Sequence, residues 1–274
     1  MNHRRTYASA PRGTNDMDTR FEVGDDPYVA TTTVTSFRII EALERHRGAT
    51  VPELVDELGL ASGTVYKHLN TLRTLHYVTR EGDEYRLGLG FLELGLTARA
   101  GTGLYEQTYD ALVDLAESTG GATLLMVPEH GFGVYLTRVV PTELVESPHQ
   151  EGERVHLHAT AGGKAILAHQ SDEALDSWLE DRPLPAVTEH TITDAARLRA
   201  ELRSVRDRRT AYSRGEGFAG WHAVAVPITG ADDEVIGAVS VVKPTDDSGE
   251  PVDLSEARNI LGSVAGSIES KLWV

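Results

Sequence analysis

Apolar positions repeat along this chain at two different periods, and the changeovers mark its elements. From Thr33 onward, Val34, Phe37, Ile40 and Leu43 recur at helical spacing until Arg47-Gly48 stops the run. Thr50-Val51-Pro52-Glu53 then reads as a capping box, in which Thr50 accepts from the first turn, Pro52 needs no donor there and Glu53 reaches back. The helix it opens carries Leu54, Val55 and Leu58 and ends at Gly59. A further helix starts near Ser62 and turns Val65, Leu69, Leu72 and Leu75 inward. Two short helices across so tight a turn make a helix-turn-helix. Behind it, Tyr77-Val78-Thr79-Arg80 and Tyr85-Arg86-Leu87 predict two strands around the turn at 81–84, a hairpin placed as a wing. Leu89, Phe91, Leu92, Leu96 and Ala98 predict a linking helix that ends near Gly101-Thr102-Gly103.

The remainder alternates. Leu104, Thr108, Ala111, Leu112, Leu115 and Ala116 make a helical stripe ending at Gly120-Gly121. Strands are expected at 122–127 and 133–140, a mobile polar loop at 141–154, and helices at about 162–170, 172–180 and 194–209. A second hairpin, 221–229 with 234–243, precedes a last helix bearing Leu254, Ala257, Leu261, Val264, Ala265, Ile268 and Leu272 on one face. The fold class is therefore α+β: an N-terminal winged helix-turn-helix, a linking helix and a C-terminal α+β sensor domain. The expected division is a disordered tail at 1–31, the winged helix at 32–88, the linking helix at 89–103 and the sensor and oligomerisation domain at 104–274. Met17 offers a second possible start.

Charge changes this picture. The formal net charge of −16 argues against nucleic acid when the chain is taken whole. Yet residues 30–90 hold 7 basic and 8 acidic side chains, while 91–274 hold 15 and 29. No Asp or Glu occurs between Glu57 and Glu81, a gap that spans the second helix of the helix-turn-helix. The acid-rich, Lys-poor composition points to a halophile. With no cysteine, disulfides, thiolate catalysis and Cys-based zinc sites are excluded. The N-terminus is basic and polar and no apolar run reaches the roughly 18 residues of a membrane helix, so a cytoplasmic protein without a membrane partner is expected.

A recognition helix places its N-terminal side chains against base edges and its flanks against phosphates. On the helix from Ser62, the outward positions are Ser62, Thr64, Tyr66, Lys67, His68, Asn70, Thr71 and Arg73, rich in hydrogen-bonding groups and free of acids. Arg80 and Arg86 add charge on the wing. An exposed polar helix face is the bland alternative. Further on, Thr160-Ala161-Gly162-Gly163-Lys164 is not a phosphate-binding Walker loop, since His158 stands where its first Gly belongs and Ala165 follows the Lys. It reads as a helix start whose free N–H groups and small residues admit a carboxylate, or as plain packing by small residues.

These residues, in this order, resemble the IclR family of bacterial and archaeal regulators. The resemblance rests on Ser36 to Leu43, Leu54 to Leu60, Thr64 to Leu72, Tyr77-Val78, Tyr85 to Gly88, His158 to Ala168, Ala225 to Ile228 and Ala238 to Ser240. It implies a GAF-like sensor fold, double-stranded operator DNA as partner, a homodimer or homotetramer, and a small organic or sugar acid as effector. By the same analogy the effector pocket is lined by Ala161, Gly162, Ala223, Ser240 and the loop 141–150. The family position of Lys67 is commonly Arg, so its bidentate fork is lost here. A second pocket serine of the family falls at Val242, which makes one side of the pocket less polar. The segment 211–217 is shorter than in the family, with Glu216 as the candidate for its acidic contact.

No catalytic residue, cofactor or metal is expected. There is no Gly-x-Ser-x-Gly elbow and no His-Glu-x-x-His. His156 and His158, near His149, would share a face if on a strand and could hold a metal or be a stray surface pair. His222 reads as a strand residue with a local hydrogen bond. Two rival functions stay open at this point: an architectural DNA-binding protein whose C-terminal domain only oligomerises, and an enzyme with an appended winged helix.

Overall fold

The computed structural model describes residues 28–142, 144, 147–245 and 252–272. The first 27 residues of the predicted tail, and residues 143, 145 and 146 of the predicted loop, lie outside that range. Contacts within the described chain divide it into two units, 28–101 and 102–272. No helix among the described residues is long and apolar enough to cross a membrane.

In the first unit, α1 (Thr31–His46) ends on Arg47, whose φ of 59° turns the chain out of the helix. Strand β1 (Ala49–Thr50) leads into α2 (Val51–Leu58). Glu53 accepts from both the N–H and the hydroxyl of Thr50 at 2.7 Å, which holds its carboxyl below the usual range. Gly59, at φ 65°, closes α2 and lets α3 (Ser62–Thr74) start three residues later. Strands β2 (Val78–Glu81) and β3 (Glu84–Leu87) form the wing, and α4 (Gly90–Ala100) follows.

Three departures from sequence expectation have simple causes. β1 is too short to show a period, but it pairs antiparallel with β3, Ala49 opposite Tyr85, and so ties the wing to the helices. The buried face of α1 is Ile39, Ala42 and Leu43, while Phe37 is 46% exposed. Leu75 falls beyond the last turn of α3, off its buried stripe, and is 57% exposed, so it is not the core residue the spacing predicts. Val65 and Leu69 are fully buried against Leu54, each stabilising the unit by roughly 1.5–3 kcal/mol.

The second unit is a six-stranded antiparallel sheet in the order β6-β5-β4-β9-β8-β7. The strands are β4 (Ala122–Glu129), β5 (Phe132–Val139), β6 (Arg154–Val155), β7 (Ala211–Arg214), β8 (Trp221–Thr229) and β9 (Val235–Pro244). β6 and β7 carry too few residues to announce themselves by alternation, and both close the sheet's edges. α5 (Tyr105–Thr119) and α9 (Ser255–Leu272) cover one face, packing Leu112 and Leu261 against Leu125, Val239 and Val241. α6 (Ala161–Ala168), α7 (Asp172–Asp181) and α8 (Ala195–Arg208) cover the other, packing Ala165, Leu175 and Leu198 with Leu124, Ala225 and Val242. The period-2 alternation of β9 thus sends Val239 and Val241 to one core and Ser240 towards the other.

Candidate functional site

The exposed face of α3 carries Ser62, Tyr66, Lys67, Asn70, Thr71 and Arg73, with Tyr66 51% exposed. Thr64 is half-buried. Neither Lys67 nor Arg73 has a carboxylate partner among the described residues; Arg73 donates to Asn70 Oδ1 at 3.1 Å. Three predicted contacts are already engaged. The half-buried His68 ring pairs through Nδ1 with Ser36 Oγ at 2.8 Å and so joins α3 to α1. Arg80 donates to Gly82 O at 2.8 Å, pairs with Asp83 and lies over the Tyr85 ring, bracing the wing turn. Arg86 pairs with Glu84 at 3.0 Å on the same strand. Exposed pairs of this kind exchange readily for phosphate, because each is worth about 0–1 kcal/mol.

In the second unit, the start of α6 lines a small cavity of about 20 Å³, room for a water or two. Thr160 caps the helix: its Oγ1 accepts from Gly163 N–H at 3.0 Å and its carbonyl from Lys164 N–H at 2.9 Å. The N–H groups of Ala161 and Gly162 have no acceptor among the described residues. Gly162 lines the cavity, as do Ala161, Ala223 and Ser240. Gly163 does not. A Cβ there would stand 2.1 Å from the Leu157 carbonyl oxygen, so this glycine serves the close approach of α6 to the 3₁₀ turn at Leu157–Ala159.

Glu216 also falls outside the cavity, for a physical reason. Both of its oxygens accept from Lys164 Nζ at 2.7 Å, with the two side chains 2% and 11% exposed. Its charge is spent on a buried lysine, and the pair lies beside a separate open cleft of about 640 Å³ lined by α8 and β7. The position that completes the cavity is Ser213, opposite Ala223 in the β7–β8 register and 3.4 Å from the Ala159 carbonyl. Sequence reasoning missed it because β7 was not predicted. It also missed Tyr135, Phe218 and Trp221, whose rings, with that of His149 from the expected pocket loop 141–150, supply much of the remaining wall. Val242 lies in that wall as well.

Among the described residues no group of three potential metal ligands comes together. His156 and His158 are not on a strand but flank the start of the 3₁₀ turn, their rings 5.6 Å apart. Burial pushes His149 down to about 3 and His158 down to about 4. Burial likewise lowers His156, His169 and His222. His222 is on β8, and its Nδ1 has no hydrogen-bond partner among the described residues. An unfolded chain takes up protons at these rings below pH 6.5 that the folded unit refuses. Their contribution is complete above pH 6.5 and declines as pH falls towards 4 and then 3, by roughly 1 kcal/mol per pH unit for His149 alone. Melting temperatures between pH 7.5 and 4.5 should fall on the acid side, with a shallower slope in His149→Phe; a flat profile would contradict this account.

A winged helix with a cation-bearing recognition helix, in one chain with a unit enclosing a cavity at a helix start, defines a ligand-responsive DNA-binding regulator. Comparison with known proteins bears this out. Residues 35–82 match the IclR helix-turn-helix domain and residues 98–268 the bacterial transcriptional regulator IclR C-terminal domain. The "Probable HTH-type transcriptional regulator ArcR" of Halobacterium salinarum is 30% identical over 256 residues, 89% of this chain and 97% of that one. The IclR of Thermotoga maritima superposes with a TM-score of 0.73 at 25% identity, covering 89% of this chain and 99% of that one. An IclR homologue from Microbacterium hydrocarbonoxydans, solved with 4-hydroxybenzoate, gives 0.74 at 25% identity over 88% and 98%. The chain belongs to the IclR family: it is a transcriptional regulator with a helix-turn-helix DNA-binding domain and an effector-binding C-terminal domain.

Proposed function

We propose that this chain binds an operator as a homodimer or a pair of dimers, and that a small organic or sugar acid held at the start of α6 shifts its operator affinity. The observation that carries the reading is the convergence of two unpaired backbone N–H groups with Ser213 and Ser240 in one cavity. Dipole and donors there favour an anion. The cavity is narrow, so an organic acid enters only as its walls give way. That difference between empty and occupied states is what an allosteric effector requires, since it must bind two states unequally.

Further arguments support the rest. Lys67, Tyr66, Asn70 and Arg73 form the DNA-contacting set, with the wing arginines on phosphate. Leu89, Leu92 and Leu96 are 83%, 57% and 45% exposed and fall on one side of α4 and its start, an apolar face that a second copy would cover. Two copies supply the half-site symmetry of an operator. The relatives act as regulators, so the cavity is a sensing site rather than a catalytic one. Operator DNA and the acid excess of 91–274, together with the Halobacterium relative, favour a salt-rich cytoplasm.

Ser240→Ala should weaken effector binding about ten- to a hundredfold, the loss of one hydrogen bond to a charged group, and leave ligand-free operator binding intact. Gly162→Leu should do the same by filling the cavity. Calorimetry against a panel of carboxylates, paired with operator shifts, tests both. A ligand that binds wild type and both variants equally would move the site elsewhere.

A further inference from the structure

Strand β7 has two occupied sides. Ser213 lines the α6 cavity, while Tyr212 and Arg214 alternate with it and line the open cleft of about 640 Å³. That volume lies within the range of small-molecule sites, about 300–1,000 Å³. The cations around the cleft are unequally engaged. Lys164 Nζ is held by Glu216 at 2.7 Å, and Arg208 holds Glu201 at 2.9 Å. Arg197 and Arg214 also line the cleft, and neither has a carboxylate partner among the described residues. For Arg197 the cause is local. Its helical neighbour Glu201, four residues on, is spent on Arg208, and Asp194 caps α8 by accepting from the Arg197 N–H at 2.7 Å. Arg214 lies over the Tyr212 ring, 5.6 Å from its centre, with no hydrogen bond to its guanidinium among the described residues. Seven of the eleven arginines in 102–274 do hold a carboxylate or a backbone carbonyl, so two uncommitted guanidinium groups at one cleft are a local concentration of unmet charge.

We propose that this cleft is a second ligand site, separate from the α6 cavity, and that Arg197 and Arg214 hold a small dianion there, a phosphate ester or a dicarboxylate. Each guanidinium presents parallel N–H groups that meet two oxygens of a carboxylate or phosphate at once. Two such groups match two negative charges, whereas a monoanion uses only one. The acids of the cleft do not cancel them. Glu201 and Glu216 are each spent on a cation, and Glu189, with its side chain 87% exposed, stands 3.8 Å from the His190 ring in water that screens its field. Unlike the cavity, the cleft is open, and a ligand enters without displacing a wall. The two sites share the segment 212–218: Ser213, Gly217 and Phe218 face the cavity, and Tyr212, Arg214 and Glu216 face the cleft.

Titration calorimetry on the full chain tests this with inorganic phosphate, glycerol 3-phosphate and succinate at matched ionic strength, and with acetate as the monoanion. At least one dianion should bind about fivefold or more tighter than acetate. Arg197→Gln and Arg214→Gln should each weaken that dianion by about fivefold or more, and the double variant should abolish its binding. Both side chains are exposed, so the variants should melt with the wild type. Arg203→Gln removes another exposed arginine of α8, outside the cleft, and should leave affinity within about twofold, as should Ser240→Ala in the cavity. Tightest binding by a phosphate supports the proposal and assigns a phosphate ester; tightest binding by succinate supports it and assigns a dicarboxylate. No dianion bound, or one bound equally well by the double variant, would overturn it. Equal weakening by Arg203→Gln would also overturn it, as the mark of diffuse charge rather than a site. A loss confined to Ser240→Ala would overturn it by moving the anion into the cavity.

Discussion

Glu216→Ala is expected to be the most damaging single change in the sensor unit, costing about 3 kcal/mol or more. Removing one partner of a buried ion pair leaves the other charge in low dielectric, and such losses run to about 3–5 kcal/mol. Lys164 is enclosed, with its side chain 2% exposed, while Glu216 borders the open cleft, so water reaching that side places the loss at the lower end. The backbone of this segment is held separately, by contacts that alanine keeps. The Glu216 carbonyl accepts from Thr191 Oγ1 at 2.7 Å and Thr188 Oγ1 at 3.1 Å, which holds the segment carrying Phe218 over the cavity. The double variant Lys164→Met with Glu216→Leu should recover most of the stability, since apolar groups of similar volume remove both desolvation penalties. Urea unfolding of the three proteins distinguishes these outcomes. A single variant within about 1 kcal/mol of wild type would show that water, not burial, governs the pair.

The other large effect is expected on DNA. Lys67→Ala with Arg73→Ala should weaken operator binding by about 2–6 kcal/mol across a dimer, if each copy loses one base contact of about 1–3 kcal/mol. The single variants should differ in kind. Arg73→Ala, acting on phosphate, should weaken binding to all sequences and shallow the salt dependence by about 2 in log–log slope, since each lost phosphate contact removes about 0.9. Lys67→Ala should change which operator variants are preferred. Fluorescence anisotropy at several salt concentrations, with cognate and mismatched duplexes, reads both quantities. Undiminished affinity in the double variant would show that α3 does not enter the groove.

What the amino-acid sequence determined by itself is the local and periodic part. The capping box at Thr50 and Glu53 spans four residues, and its partners meet in any chain that starts a helix there. The α3 stripe of Val65, Leu69 and Leu72 and the strand alternation around Ser240 follow from the repeat of one element, so the face each side chain takes was legible. So was the start of α6, which needs only the small residues around Gly162. The tertiary structure decided whatever depends on two distant segments meeting. Lys164 and Glu216 are 52 positions apart, and nothing near either one distinguishes a buried pair from a surface charge. Ser36 and His68 are 32 apart, and their contact, which joins two helices, is written in neither segment. The cavity wall draws Ser213, His149 and Trp221 from separate segments, two of which are too short or too irregular to carry a period. Propensity and periodicity act over a few residues, whereas the register of a six-stranded sheet and the closure of its edges are settled only when the two cores pack.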